Sequence, residues 1–202
     1  MIYLASNSPR RRALLEQIGV SYQQFAVEID ETMVNNESPQ NYVKRLALEK
    51  AQSSYTALLN NPTSPQNIAV LGADTIVVFH QRLFGKPTDL AMAYSMLKQL
   101  SGNSHQVMTA VALVTSQQEQ VRLNLSTVYF RSMSDTEIRS YIATSEPFDK
   151  AGSYAIQGLA SVFIERIEGS YSGIMGLPLY ETATLLMELG LFSIGQNYET
   201  KL

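Results

Sequence analysis

No cysteine occurs anywhere in the 202-residue sequence, so disulfides, thiol nucleophiles and thiolate metal sites are excluded. Histidine is nearly as scarce: His80 and His105 fall at turn-like positions without metal-ligand spacing and read as structural or surface residues. No serine–histidine–acid arrangement is evident. Charged residues make up only 16% and the net charge is −3, which gives no support to binding of a nucleic-acid polymer or a membrane surface. Basic residues that matter must then act as local clusters. Long apolar runs are also missing. The longest, Ile68–Phe79, is broken by Asp74 and is too short to span a bilayer. The apolar start Met1–Ala5 is too short for a signal peptide and precedes its arginines instead of following them, so a soluble cytoplasmic protein is expected. Neither the phosphate-loop nor the dinucleotide glycine pattern is present. Phosphate binding would have to rest on a helix start with dispersed Arg and Lys.

What remains is ample for one compact unit of α/β or mixed α+β class, with 45% hydrophobic residues to build a core. Met1–Ala5 reads as a strand, and Ser8-Pro9 opens a helix, Ser8 as its cap, that Gly19 closes. Tyr22–Val27 is a second strand, followed by an acidic loop over 28–31, and Ser38-Pro39 opens a helix to about Leu58. Asn60–Asn67 carries loop chemistry. Ile68–Phe79 reads as a strand covered on both faces. A helix over Thr88–Leu100 and a hairpin from Gln106–Thr115 and Val121–Arg131 follow. A capping-box helix from Ser134 to about Thr144, a strand at Val162–Ile167 and a last helix at Pro178–Leu189 complete a mixed sheet with helices. Residues 193–202 read as a frayed tail.

Three placements are costly in a plain fold. Arg10, Arg11 and Arg12 crowd the positive end of a helix dipole, at roughly 0.3–1 kcal/mol each where exposed. Either they snorkel into solvent, or they join the free N–H groups in an anion site suited to phosphate. Lys50 falls inside the apolar stripe of Val43, Leu46, Ala47, Ala51 and Leu58. It needs a ligand anion or a carboxylate, Glu31 or Asp74. Asp74 interrupts the most apolar strand, and is either satisfied by structural hydrogen bonds or held for chemistry. Gly72, on the same face, leaves space for a ligand or marks a bulge. Asp74 and Glu31 together can bind a hard divalent cation or orient water. Lys86, in Gly85-Lys86-Pro87, is a further cation or simply an exposed turn lysine. Residues 149–152 and 156–158 lie in a polar, glycine-punctuated loop, where ligand contacts concentrate.

In order, LASNSPRR (4–11), IDE (29–31), RLALEKA (45–51), GADT (72–75), GKP (85–87), LSG (100–102), DKAGSYAIQG (149–158), GSY (169–171) and GLP (176–178) resemble the motifs of the Maf family of nucleoside triphosphate pyrophosphatases. The resemblance runs from Leu4 to about Leu189; each motif is weak alone, and their order makes the match specific. It implies a metal-dependent hydrolase that cuts a nucleoside triphosphate between the α- and β-phosphates. The fold it implies is an elongated mixed β-sheet flanked by helices, two lobes with a substrate cleft between them, one domain over 1–192, and often a homodimer. Asp74 would be the proton acceptor, activating water for attack at the α-phosphorus. Ser6, Arg10, Arg11, Lys50 and Lys86 would contact phosphate, and Glu31 would join Asp74 in holding a divalent cation, Mg or Mn. Arg10, Thr75 and Gln157 match the branch acting on dTTP and UTP. The sister branch, acting on 7-methyl-GTP, resembles SPWRR, SDQ and SEG at these places. The expected role is removal of non-standard or surplus nucleotides. The competing readings are a nucleotide-binding regulator of cell division or septation without turnover, and the sister 7-methyl-GTP activity.

Overall fold

A computed structural model describes residues 1–63, 65 and 67–195. The apolar start forms β1 (Ile2–Leu4), buried throughout. Pro9, with its preset φ and no N–H to lose, opens α1 (Pro9–Gln17), and Gly19 stops it at φ +72. Ser8 does occupy the cap position, but its side chain caps nothing; its own N–H instead donates to Ser6 Oγ at 3.2 Å. Of the strand expected over Tyr22–Val27, only β2 (Gln23–Gln24) forms. The reason is the length of its neighbour: Tyr3 and Leu4 are its ladder partners, and β1 ends there.

Ser38 Oγ accepts the Asn41 N–H at 3.3 Å and starts α2 (Pro39–Leu59), whose stripe of Val43, Leu46, Ala47, Ala51 and Leu58 is buried as its period predicts. The apolar run becomes β3 (Ala69–Phe79), parallel to β1 with Leu4 opposite Leu71. His80 and Gln81, both at positive φ, make the tight turn into β4 (Arg82–Phe84), which returns antiparallel along β3. Asp89 caps α3 (Leu90–Leu100). A turn closed by the Thr115 N–H on Gln118 O joins β5 (Ser104–Val114) to β6 (Glu119–Phe130). The expected capping box is formed by Ser134 and Glu137 at α4 (Asp135–Ile142).

Three short 3-10 turns, Glu146–Asp149, Ala151–Ser153 and Leu159–Phe163, then lead to β7 (Ile164–Glu168). After β7 come α5 (Tyr171–Met175), which no sequence signal announced, and α6 (Leu179–Glu188). Hydrogen bonding orders the strands β2-β1-β3-β5-β6-β7, with β4 beside β3, so the described residues form a mixed seven-stranded sheet with six α-helices. Of the tail expected over 193–202, residues 196–202 lie outside the described residues. No helix among the described residues is long and apolar enough to cross a membrane.

The chain divides into two compact units. The first comprises residues 1–74 and 109–123 and the chain from Gly176 onward; the second comprises 75–108 and 124–175. The second unit buries a cluster that includes Val77, Leu97, Val128, Phe130, Ile138 and Phe163. His105 belongs to that cluster's surroundings and not to a turn. The polar run after Gly102 looks turn-like, but β5 begins at Ser104 and its alternation points His105 inward, 3% exposed. The ring stands edge-on to Phe130 and Tyr154, and Nε2 lies 2.7 Å from the Tyr154 hydroxyl. Burial lowers His105 from 6.5 to about 4.

The unfolded chain therefore takes up this proton first, near pH 6.5, while the native ring stays neutral until about pH 4. Its contribution is complete above pH ~6.5 and is lost as the pH falls toward about 4, by roughly 3 kcal/mol in all. Urea unfolding at several pH values between 7.5 and 4 is expected to show a shallower acid loss in His105→Gln than in the parent protein; parallel curves would contradict it.

Candidate active site

Small residues bring α2 against β3. A Cβ on Gly72 would lie 2.3 Å from Ala47 O and 2.8 Å from Ala51 N. The space expected for a ligand at Gly72 is thus filled by helix backbone, and the glycine serves close approach. This contact sets Lys50, adjacent to Ala51, within reach of the strand. Its ammonium lies 2.6 Å from Asp74 Oδ1 and 2.6 Å from Glu31 Oε1, so both carboxylates foreseen as alternative partners engage it at once. The side chains of Lys50 and Asp74 are 16% and 11% exposed, whereas Glu31 is 54% exposed.

The loop bearing Glu31 is tied down by α2. Tyr42 Oη donates to the Glu31 carbonyl at 2.8 Å. Arg45 forks onto Glu37 with two contacts of 2.8 Å, reaches Glu49 at 3.0 Å and donates to Thr32 O at 3.1 Å. Neither Tyr42 nor Arg45 was assigned a role from the sequence. The four-residue spacing of Arg45 and Glu49 was the available signal for an ion pair, but the link to the acidic loop is long-range.

The arginines after Pro9 go separate ways. Arg11 turns inward: Nη1 donates to the buried Ser6 Oγ at 3.0 Å, and Nε donates to Gly176 O at 2.7 Å. Gly176 holds φ +115, in the left-handed region that favours glycine. Arg12 pairs with Gln24 Oε1 at 2.7 Å, and Arg10 is half-buried. Burial pulls the Arg11 guanidinium below its ordinary value, opposed by the charges of Asp74 and Glu31 and reinforced by Arg10. The snorkelling alternative therefore does not apply to Arg11.

Asp74 is buried in β3, and that burial pushes its carboxyl above the ordinary range. Lys50 and Arg11 pull it down, and Glu31 pushes it further up. Ser6, Arg11, Glu31, Lys50 and Asp74 thus form one interacting set in the first unit, with Arg10 coupled to Arg11. Thr75, Lys86 and Gln157 belong to the second unit. Lys86 is exposed and makes no hydrogen bond or ion pair among the described residues. Gln157 is exposed in a turn closed by the Gly158 N–H on Ala155 O at 3.1 Å. Within that unit the Gly152 N–H donates to Gly85 O at 3.1 Å, tying the Lys86 turn to the loop that carries Gln157.

The family resemblance makes Glu31 and Asp74 metal ligands. Among the described residues no group of three or more His, Cys, Asp or Glu is placed to cage a metal ion. Two carboxylate oxygens that converge on one ammonium are instead a hard, partial donor set, chemically suited to a divalent cation.

A family model described as Maf-like protein matches residues 1–189. A relative from Alkalilimnicola ehrlichii is 52% identical over 187 residues, covering 93% of this chain and 92% of its own. One from Shewanella oneidensis is 49% identical over 195 residues, 94% and 98% of the two chains. One from Salmonella typhimurium is 50% identical over 185 residues, 92% and 91%. All three are named dTTP/UTP pyrophosphatase.

The role of Gly72 is open to a direct test. Gly72→Ala forces a methyl onto α2 backbone and is expected to cost about 1–3 kcal/mol in urea unfolding. Wild-type stability would mean that α2 does not bear on β3 as described.

Proposed function

The chain belongs to the Maf-like family, and on that premise we propose that it is a nucleoside triphosphate pyrophosphatase that hydrolyses dTTP and UTP to the monophosphate and pyrophosphate. The observation that carries the reading is Asp74, an acid embedded in an apolar strand and surrounded by Lys50, Arg11 and Glu31. Burial raises its proton affinity toward the working pH, which suits a carboxylate that must take a proton from water. Water so activated attacks the α-phosphorus and pyrophosphate leaves. Arg11, oriented by Ser6 and Gly176, together with Arg10 at the start of α1 and Ser6 ahead of it, holds phosphate oxygens, with Lys86 as a further phosphate contact. Lys50 exchanges carboxylate for phosphate as substrate arrives. Such preset cations stabilise charge that spreads over the transferring group with little reorganisation.

Glu31 and Asp74 would hold the divalent ion, Mg or Mn. When bound, that ion supplies neutralisation of phosphate-oxygen charge. Thr75 and Gln157, with Arg10, are assigned to nucleotide selection. We place the reaction in the cytoplasm on the reading of the sequence, and take a homodimer as the assembly on the family resemblance alone. A regulator that binds nucleotide without turnover needs the cations but no acid held above its ordinary range, so Asp74 favours the enzyme.

Asp74→Asn is expected to keep the fold and nucleotide binding while pyrophosphate release from UTP or dTTP with magnesium drops by about 10²-fold or more. Wild-type rates would remove Asp74 from the chemistry, and no release by the parent protein from any nucleotide would leave the regulator. Lys50→Met is expected to bind Mn²⁺ alone roughly tenfold more tightly, because the ammonium no longer competes for the two carboxylates, while binding UTP more weakly. Calorimetry checks both; unchanged or weaker Mn²⁺ affinity counts against Glu31 and Asp74 as its ligands.

A further inference from the structure

Glu146 opens the first 3-10 turn after α4, half-buried, and its oxygens face donors other than Lys or Arg. They accept from the Tyr141 hydroxyl at 2.8 Å, the Leu159 N–H at 2.9 Å and, at greater length, the Ala160 N–H at 3.4 Å. Leu159 and Ala160 begin the turn Leu159–Phe163, whose leading N–H groups need an outside acceptor. Gly158, just before them, lies over the same carboxylate: a Cβ there would be 2.3 Å from Oε1 and 2.4 Å from Oε2. Its φ of −106 is open to any residue, so the contact, not the backbone, calls for glycine.

The opposite end of this stretch is fixed as well. Tyr154 Oη meets His105 Nε2 at 2.7 Å, Ile156 is buried in the core, and the Gly158 N–H closes the turn on Ala155 O. From Tyr154 to Gly158 only Gln157 is exposed. An amide side chain presents a donor and an acceptor side by side, and it distinguishes one base edge from another only while its backbone is held. A carboxylate is acceptor-only and gathers three donors without a proton of its own.

We propose that Glu146 is a positioning residue for substrate selection: by fixing the Leu159 and Ala160 amides beneath Gly158, it sets the placement of Gln157 and so the discrimination between nucleobases. This rests on the base-reading role of Gln157 put forward above. The probe is the UTP-to-GTP ratio of kcat/KM, measured by pyrophosphate release with magnesium. Glu146→Ala is expected to lower that ratio roughly tenfold, and Glu146→Gln, which keeps one acceptor oxygen for the Leu159 N–H, to restore part of it. In a Gln157→Ala background, Glu146→Ala is expected to lower it no further.

Gly158→Ala displaces the carboxylate while leaving Glu146 in place, and is expected to lower the ratio too; it stands in should Glu146→Ala fail to fold. The inference is overturned if Gln157→Ala lowers the ratio but folded Glu146→Ala or Gly158→Ala leaves it at the wild-type value. Equal losses in both backgrounds overturn it also. An unchanged ratio in Gln157→Ala overturns the base-reading role and this inference together. Failure of the enzyme assignment itself would look different, as no pyrophosphate from any nucleotide.

Discussion

The Lys50 ammonium, held between Glu31 and Asp74, is the contact around which the first unit is arranged. Taking an ammonium and a carboxylate out of water is expensive, and the pair is tolerable only when its geometry is maintained. Backbone packing maintains it. Gly72 admits α2 to van der Waals range of β3, with Ala47 and Ala51 as the facing residues. Tyr42 and Arg45 hold the loop that presents Glu31. On the proposed function, the ammonium passes to a phosphate while the carboxylates take up a cation, so the number of ionic contacts need not fall.

The electrostatics are local throughout. A chain with net charge −3 has no overall field to draw in a polyanion, so attraction depends on where a few cations stand. Arg11 illustrates the device. Two of its acceptors, the Ser6 hydroxyl and the Gly176 carbonyl, are neutral and orient the guanidinium, while the charges of Asp74 and Glu31 act on it as well.

Features with a local cause were legible in the sequence. The two Ser-Pro helix starts, the Ser134–Glu137 box and the buried stripe of α2 follow from neighbours three or four residues away. Asp74 and Lys50 were conspicuous because each breaks an apolar pattern, and the two turned out to be partners. What stayed hidden depends on distant chain. Gly72 looked like room for a ligand because nothing nearby says that a helix backbone will fill it. Ser8 looked like a cap because its neighbourhood suits one, yet Ser6 is the residue whose hydroxyl receives its N–H. His105 sits in a polar run, and only the start of β5 at Ser104 decides which way its ring faces. Glu146 carried no signal at all, since its amide partners lie more than a dozen residues on, within a turn too short to have a period.

The hydrogen bond from Arg11 to Gly176 spans 165 positions of sequence. During synthesis, at about 5–20 residues per second, the amino-terminal arginine therefore waits on the order of ten seconds for the carbonyl that aims it. Completion of this arginine's contacts is thus timed by the synthesis of the segment around Gly176, 165 positions downstream.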